Sequence, residues 1–168
     1  MGMFDISRLS EKYSTRILTP SDIELILDLV QKNMQFYKYT EAKPIRKQIL
    51  RDMSVAPPRT DPSDKYYFGF FDGDELVAIM DLVEGYPAKD IAYIGFFMMN
   101  ASYQGKGEGS DIVNGVLSYI SSTGAKAVHL AIDKGNPQST HFWQKNGFRI
   151  LGEVEVHGWY KLVAEKVL

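Results

Sequence analysis

The sequence predicts a mixed α/β fold in which antiparallel strand pairs are joined to helices. Apolar residues recur at helical spacing in some segments and alternate or run continuously in shorter, β-branched and aromatic segments. Two short Asp-Gly and His-Gly turns separate neighbouring strand-like segments, which is typical of hairpins. The chain has 168 residues, of which 45% are hydrophobic and 24% charged. This length and composition predict one domain, residues 1–168, with a sizeable core.

The N-terminal part is predicted to contain one strand and two helices. Residues 13–18 alternate and are rich in β-branched side chains, so we expect a first strand. A helix start follows, where Thr19 or Ser21 can cap and Pro20 suits an early helical position, and apolar residues continue at helical spacing up to Val30. A second helix is predicted from Ile45 to about Met53, before a loop rich in proline and aspartate.

Three strands follow. Residues 66–71 and 75–83 flank Asp72-Gly73-Asp74, which predicts a hairpin. Residues 90–99 are almost continuously apolar, so this strand is expected to be central and covered on both faces. A glycine-rich loop comes directly after it.

The C-terminal part is predicted to alternate between helices and strands. An apolar stripe from Ile112 to Ile120 predicts a helix that ends near Gly124. A strand over residues 127–132 and a short helix over residues 136–146 come next. Two strands, 148–156 and 159–167, then close the chain as a hairpin.

Composition excludes several classes of function. The net charge is −2 and there is no basic run, so we expect no nucleic-acid partner. No apolar stretch is long enough to span a bilayer, which argues against a membrane protein. The chain has no cysteine, so it has no disulfide, zinc–thiolate site or cysteine nucleophile, and we expect a cytoplasmic protein. The three histidines lack metal-ligand spacing, and no metal site is expected.

The glycine-rich loop before the third helix is predicted to bind a phosphate. The first N–H groups of a helix lack internal partners and attract anions, and glycines let the backbone approach closely. A Walker loop requires Gly-Lys-Ser/Thr, which is absent here, and the dinucleotide fingerprint requires glycine where Ser110 stands. The remaining pattern is Gln-x-x-Gly-x-Gly, formed by Gln104, Gly107 and Gly109.

Together with a second segment, this loop resembles the GNAT superfamily of acetyl-CoA-dependent N-acyltransferases. The second segment is an apolar strand, Asn136, a short helix and Asn-Gly-Phe at residues 146–148. The resemblance covers roughly residues 66–148, and the remainder agrees in element order only. It implies a mixed, mostly antiparallel, twisted sheet of about six to seven strands with about four flanking helices and splayed central strands.

The resemblance also implies a site for acetyl-CoA. Backbone amides from Gln104 to Gly109 would hold the pyrophosphate, and the end of the preceding strand would pair with the pantetheine arm. Lys106, Lys134 and Lys145 are candidates for the 3′-phosphate, although surface lysines are usually only solvated. The implied coenzyme-binding residues are Phe97, Met98, Met99, Gln104, Gly105, Lys106, Gly107, Glu108, Gly109, Ser110, Asn136, Ser139, Trp143 and Lys145.

Catalysis in such a family requires a base that takes the proton of the amine. Asp81 is the first candidate, because alternation predicts that it shares a face with three apolar residues, Val77, Ile79 and Val83, which would raise its pKa. Glu84 is the second candidate and His129 the third. The Met99 amide would polarise the thioester carbonyl. Trp143 stands where many members have a tyrosine acid, and an indole does not readily give up a proton, so a packing role is favoured there.

The acceptor is expected to be a small-molecule primary amine or a peptide. Phe36, Tyr37, Tyr39 and Trp159 would line its pocket, or pack in the core. Exposed aromatic residues of the closing hairpin would also suit a homodimer contact. The alternative hypothesis is a non-catalytic module that binds or senses acyl-CoA. Two observations favour it: Trp143 stands in place of the tyrosine acid, and no single residue is marked out as the base.

Overall fold

The computed structural model describes residues 4–168. The predicted bounds of all the strands and of the second and fourth helices agree with the structure to within one residue. The first helix begins at Ile23 instead, because Pro20–Asp22 form a 3-10 turn, and the third helix ends at Ser122. The strands and helices, in chain order, are β1 (Ser14–Ile17), α1 (Ile23–Gln31), α2 (Arg46–Ser54), β2 (Lys65–Asp72), β3 (Glu75–Glu84), β4 (Ile91–Met99), α3 (Glu108–Ser122), β5 (Ala127–Asp133), α4 (Pro137–Lys145), β6 (Arg149–Val156) and β7 (Trp159–Val167).

These strands form one 7-stranded sheet in the order β1-β2-β3-β4-β5-β7-β6. Every neighbouring pair is antiparallel except β4 and β5, which are parallel and are connected through α3. A parallel pair needs such a crossover, whereas hairpins suffice elsewhere. The predicted fold class, a mixed and mostly antiparallel sheet with flanking helices, is therefore confirmed.

Helices cover both faces of the sheet, and each face has its own hydrophobic cluster. On one face, the apolar stripe of α3 packs with Trp143 of α4 and with Phe148. On the other face, α1 and α2 pack against Tyr67, Ile79 and Met98. Burying one such large apolar side chain stabilises the fold by about 1.5–3 kcal/mol. The two clusters hold the strands between two helical layers.

Two β-bulges change which side chains share a face. The β2–β3 register shifts between Phe70 and Phe71, and Val77 packs in the cluster on the α3 side while Ile79 packs on the α1 side. The predicted grouping of Val77 with Asp81 was therefore wrong, because a bulge interrupts the alternation of side chains. The β3–β4 register shifts between Asp81 and Leu82, and Gly95 has no partner in β3.

Among residues 4–168, no helix has the length and apolar character needed to cross a membrane. Over that same range, no three side chains of His, Asp or Glu group as a metal site would require.

Candidate active site

The site forms where β4 and β5 separate. These strands pair only from Ile91–Ala127 to Ile94–Leu130, although β4 continues to Met99 and β5 to Asp133. The separation leaves a wedge-shaped gap beside the second half of β4, and α4 begins beside it. Backbone groups of β4 in this gap have no partner strand on that side.

A cavity of about 350 Å³ opens between this gap and the glycine loop. It brings together all the predicted coenzyme-binding residues except Lys106 and Glu108. Those lining it are Phe97, Met98, Met99, Gln104, Gly105, Gly107, Gly109, Ser110, Asn136, Ser139, Trp143 and Lys145. The two sequence motifs, which are about thirty residues apart in the chain, therefore face one cavity.

The glycines of the loop have two different roles. Gly105 and Gly107 have φ of +76° and +81°, and a Cβ on either would meet nothing within 4 Å. Gly107 is the N-cap of α3, so the free N–H groups of the first helical turn face an open space. A Cβ on Gly109 would lie 3.2 Å from Phe142 and 3.5 Å from Met99. Gly109 therefore permits close packing of α3, whereas Gly105 and Gly107 shape the loop.

Lys106 and Glu108 make contacts outside the cavity. Lys106 Nζ donates to the Ser102 carbonyl at 3.2 Å. Glu108 accepts from Lys12 Nζ at 2.6 Å and from the Tyr13 hydroxyl at 2.7 Å. The hydrogen bond from Lys12 lowers the pKa of Glu108. Glu108 thus links Lys12 and Tyr13 to α3 and does not line the cavity.

Asn33, which the sequence analysis missed, connects the loop to β4. Its Nδ2 donates to the carbonyls of Leu29 at 2.9 Å and Met99 at 3.0 Å, and its Oδ1 accepts from Gln104 Nε2 at 2.7 Å. Gln104 Nε2 also reaches the Met99 carbonyl at 3.0 Å. No local pattern marks Asn33, because its main partners lie 66 and 71 residues away in the chain.

The Met99 amide is directed to the open side of β4. Asn100, the next residue, donates its N–H to the Val77 carbonyl of β3 at 2.7 Å. Successive N–H groups of an extended chain point to opposite sides, so the Met99 N–H points away from β3, toward the gap. The Met99 carbonyl is already bound by the amides of Asn33 and Gln104.

Asn136 and Trp143 form the α4 side of the gap. Asn136 is 3% exposed and caps α4, where its Oδ1 accepts from the Ser139 N–H at 3.1 Å. Trp143 is buried, with ring centroids 6.0 Å from Phe97 and 5.2 Å from Phe148. Its indole is both a wall of the cavity and a part of the core, which fits the packing role favoured for it.

A second cavity, of about 230 Å³, lies on the α1–α2 side of the same gap. It shares Phe36, Phe97, Ser139 and Trp143 with the first cavity, so the two spaces meet at the separated strands. Of the predicted acceptor residues, Phe36 and Tyr37 line it.

Asp81 is buried in the wall of this second cavity. Its Oδ2 accepts from Lys65 Nζ at 2.7 Å, and its Oδ1 has no hydrogen-bond partner among the described residues. The unpartnered Gly95 makes room for the carboxylate, because a Cβ there would lie 3.2 Å from Oδ2. Burial raises the pKa of Asp81 from 3.8 to about 6, and nearby Lys65 limits the rise. A carboxylate of this pKa is largely ionised at neutral pH and accepts a proton more readily than an exposed one.

The other candidate bases lie elsewhere. Glu84 pairs with Ala92 at the far end of β4 from Met99, and it accepts from the Phe4 N–H at 3.2 Å. His129 Nε2 lies 2.7 Å from Glu165 Oε2, across the β5–β7 pair. Neither lines the two cavities. Asp81 is the one of the three candidates that the structure brings to the gap.

Tyr39 and Trp159 also lie outside both cavities. Trp159 is at the tip of the β6–β7 hairpin and is 38% exposed. The hairpin tip instead contacts the connection between α1 and α2, since His157 Nδ1 lies 3.1 Å from Glu41 Oε2. Lys134, a candidate for the 3′-phosphate, is ion-paired with Glu153, whereas Lys145 lines the first cavity.

Comparisons with known proteins agree with this geometry. Residues 25–148 match the family model described as the acetyltransferase (GNAT) family. No curated protein matches the chain. Among solved structures, an acetyltransferase from Thermus thermophilus is 22% identical, with 94% of this chain and 97% of that chain covered and a TM-score of 0.73.

Two further structures resemble the chain at lower identity. The PaiA N-acetyltransferase of Thermoplasma acidophilum, in complex with coenzyme A, is 17% identical over 93% of this chain and 99% of that one, with a TM-score of 0.67. A chimera of the spermidine N-acetyltransferase SpeG from Vibrio cholerae and hSSAT is also 17% identical, over 94% and 96%, with a TM-score of 0.68. These likenesses show the fold, and the family match shows the membership. The chain belongs to the GNAT acetyltransferase family and is an acyltransferase.

Proposed function

We propose that this enzyme transfers the acetyl group of acetyl-CoA to a primary amine of a small molecule or peptide by direct attack. The observation that carries the proposal is the meeting of the two cavities at the gap between β4 and β5. One cavity is lined by the glycine-rich loop, and the other by the buried carboxylate of Asp81. A thioester that enters the gap from the first cavity would therefore be reached by an amine that enters from the second.

The first cavity fits coenzyme A. The open backbone at Gly105 and Gly107, at the N-terminus of α3, suits a pyrophosphate. The free edge of β4 beyond Ile94 suits an arm that carries amide groups, which would pair with it like a strand. Bound there, acetyl-CoA supplies an acetyl thioester from which an amine can displace a thiolate. The Met99 N–H would donate to the carbonyl oxygen as negative charge develops on it.

Asp81 would act as the base. Oδ2 is held by Lys65, while Oδ1 bonds to none of residues 4–168 and would take the proton that the acceptor's ammonium group must lose before attack. Lys65 is itself buried, with its side chain 5% exposed, so the carboxylate is held in one orientation.

No side-chain acid is needed for the leaving group. Trp143 occupies the family's usual acid position, and its indole donates hydrogen bonds without readily releasing a proton. A thiol has a pKa of about 8.5, so the thiolate is a tolerable leaving group and water can protonate it. The chain has no cysteine to form a covalent acyl-enzyme by thiol attack, which favours direct transfer.

The test is amine-dependent release of free CoA. The purified protein is mixed with acetyl-CoA and a panel of primary amines, and both the free thiol and the N-acetylated product are measured. We expect turnover with some amines, and a loss of about 10²-fold or more in Asp81→Asn, as is typical when a general base is removed. Asp74→Asn, an exposed acid at the β2–β3 turn, is the matched control. Binding of acetyl-CoA without turnover of any amine would contradict the proposal and support an acyl-CoA-binding module.

Three expectations remain predictions alongside this proposal: one domain over residues 1–168, a homodimer, and a cytoplasmic location.

A further inference from the structure

The second cavity contains an acid that the proposed reaction does not use. Asp52 lies on α2 and lines the cavity, and its Oδ1 accepts from Gln48 Nε2 at 2.8 Å. No cation forms an ion pair with Asp52 among residues 4–168. Burial raises the pKa of Asp52. A half-buried carboxylate in this state attracts a cation strongly once one enters the cavity.

Two tyrosine hydroxyls lie close to Asp52. Tyr67 is 6% exposed and lines the cavity, yet its hydroxyl makes no hydrogen bond to any described residue. Tyr37 lines the cavity too, and its hydroxyl is likewise without a partner in the described part of the chain. Burial, and then the charge of Asp52, raises the pKa of both phenols. Because Tyr67 lines the cavity, a hydroxyl that bonds to no described residue is available there to a ligand.

Of the cations around the cavity, Lys65 and Lys161 are already paired, whereas Lys43 lines the cavity and is exposed. Lys65 Nζ donates to Asp81 at 2.7 Å and to the Val55 carbonyl at 2.5 Å. Lys161 Nζ donates to Asp133 Oδ1 at 2.7 Å. Asp52 has no cation partner among the described residues, and Asp81 Oδ1 and the two phenols bond to none of them. All of these groups are oxygens of residues that line the cavity.

We propose that Asp52, with the hydroxyls of Tyr37 and Tyr67, binds a second ammonium group of the acceptor, so that the acceptor is a small diamine. An ammonium has three donors and matches this set of oxygens, and nearby aromatic rings such as Phe36 favour a cation further. The inference rests on the proposed function, because Asp81 then serves the amine that reacts while Asp52 holds the one that does not.

The experiment compares three series of acceptors with matched chain lengths: α,ω-diaminoalkanes of three to six carbons, the corresponding monoamines, and the corresponding ω-amino acids. In the wild type, we expect the best diamine to have a KM about 10-fold or more below that of its monoamine, and the amino acid to be the poorest. Asp52→Asn should raise the KM for the diamine about 10-fold with little change in kcat, and should leave the monoamine within about twofold. Tyr67→Phe should act in the same direction.

Asp28→Asn, an exposed acid of α1, is the control and should change neither KM. If diamines and monoamines are equivalent, or if Asp52→Asn affects both alike, the second ammonium site is overturned while the acetyltransferase proposal stands. If no amine is acetylated, the proposed function fails, and binding then decides the inference alone. A rise in the unfolding midpoint with a diamine that is lost in Asp52→Asn would support the site, and no rise would overturn it.

Discussion

The pH dependence of the reaction should be set by Asp81. Its pKa is raised from 3.8 to about 6 by burial, against the opposing charge of Lys65. Because a base must be ionised to accept a proton, kcat/KM should rise with pH through about 6 and level off above it. The change corresponds to about 3 kcal/mol between the two protonation states.

The same shift has a consequence for stability. The folded pKa lies above that of the unfolded chain, so the stability associated with neutral Asp81 is fully present below about pH 3.8 and is lost as the pH rises through 6.

Removing the charge of Lys65 should move the inflection of kcat/KM to higher pH. Lys65→Met leaves the carboxylate buried without its partner, so we expect an inflection above 6 and a fold less stable at pH 7 by about 3–5 kcal/mol.

The assay measures initial rates of CoA release from pH 5 to 9 in the wild type, Asp81→Asn and Lys65→Met. Dividing the wild-type kcat/KM by that of Asp81→Asn removes the ionisation of the amine, which both share. The ratio should show an inflection near 6. A ratio independent of pH, or an inflection in Lys65→Met that moves downward, would refute the assignment of Asp81 as the base.

Substitutions at Gly107, Asn33 and Trp143, each with a matched control, separate the roles of these residues. Gly107→Ala and Gly158→Ala both force a non-glycine residue to φ near +80° in open space. Each variant should therefore lose about 1–2 kcal/mol of unfolding free energy in denaturant. Only Gly107→Ala should weaken CoA binding in calorimetry. Asn33→Ala removes the side chain that holds the Met99 carbonyl and Gln104, and it should raise the KM for acetyl-CoA more than it lowers kcat, whereas exposed Asn114→Ala should change neither. Trp143 is buried, so Trp143→Ala should cost about 3–5 kcal/mol of stability. Turnover in Trp143→Phe should stay within about threefold of the wild type. A complete loss of turnover in Trp143→Phe would indicate that the indole takes part in proton transfer.

Local patterns predicted the elements of the fold because each rests on neighbouring residues. The apolar stripe of α3 and the Asp-Gly turn at Gly73 each indicate an element within a few positions. The bulge that moves Val77 to the opposite face was not predictable in this way, since it depends on how β3 matches β2.

The candidate site divides along the same line. The glycine loop and Asn136 belong to continuous motifs, and the structure places them at one cavity. The roles of Asp52 and Asn33 depend on neighbours that are distant in the chain, so no local pattern predicts them. Asp81 and Glu84 are close in sequence, yet only Asp81 reaches the gap, because the bulge at Gly95 opens space beside it while Glu84 lies at the far end of the strand.

The central claim is that the gap between β4 and β5 holds coenzyme A, and thermal unfolding with CoA, acetyl-CoA, ATP and NAD in parallel tests it most directly. A ligand at a hundredfold excess over its dissociation constant stabilises the folded state by about 2.7 kcal/mol. For a chain of this size that corresponds to a midpoint rise of roughly 5–10 °C. We predict this rise with CoA and with acetyl-CoA. In Gly107→Glu, whose side chain would enter the space expected to hold the pyrophosphate, the rise with either coenzyme should be much smaller. No rise with either coenzyme, or a larger one with ATP or NAD, would contradict the account.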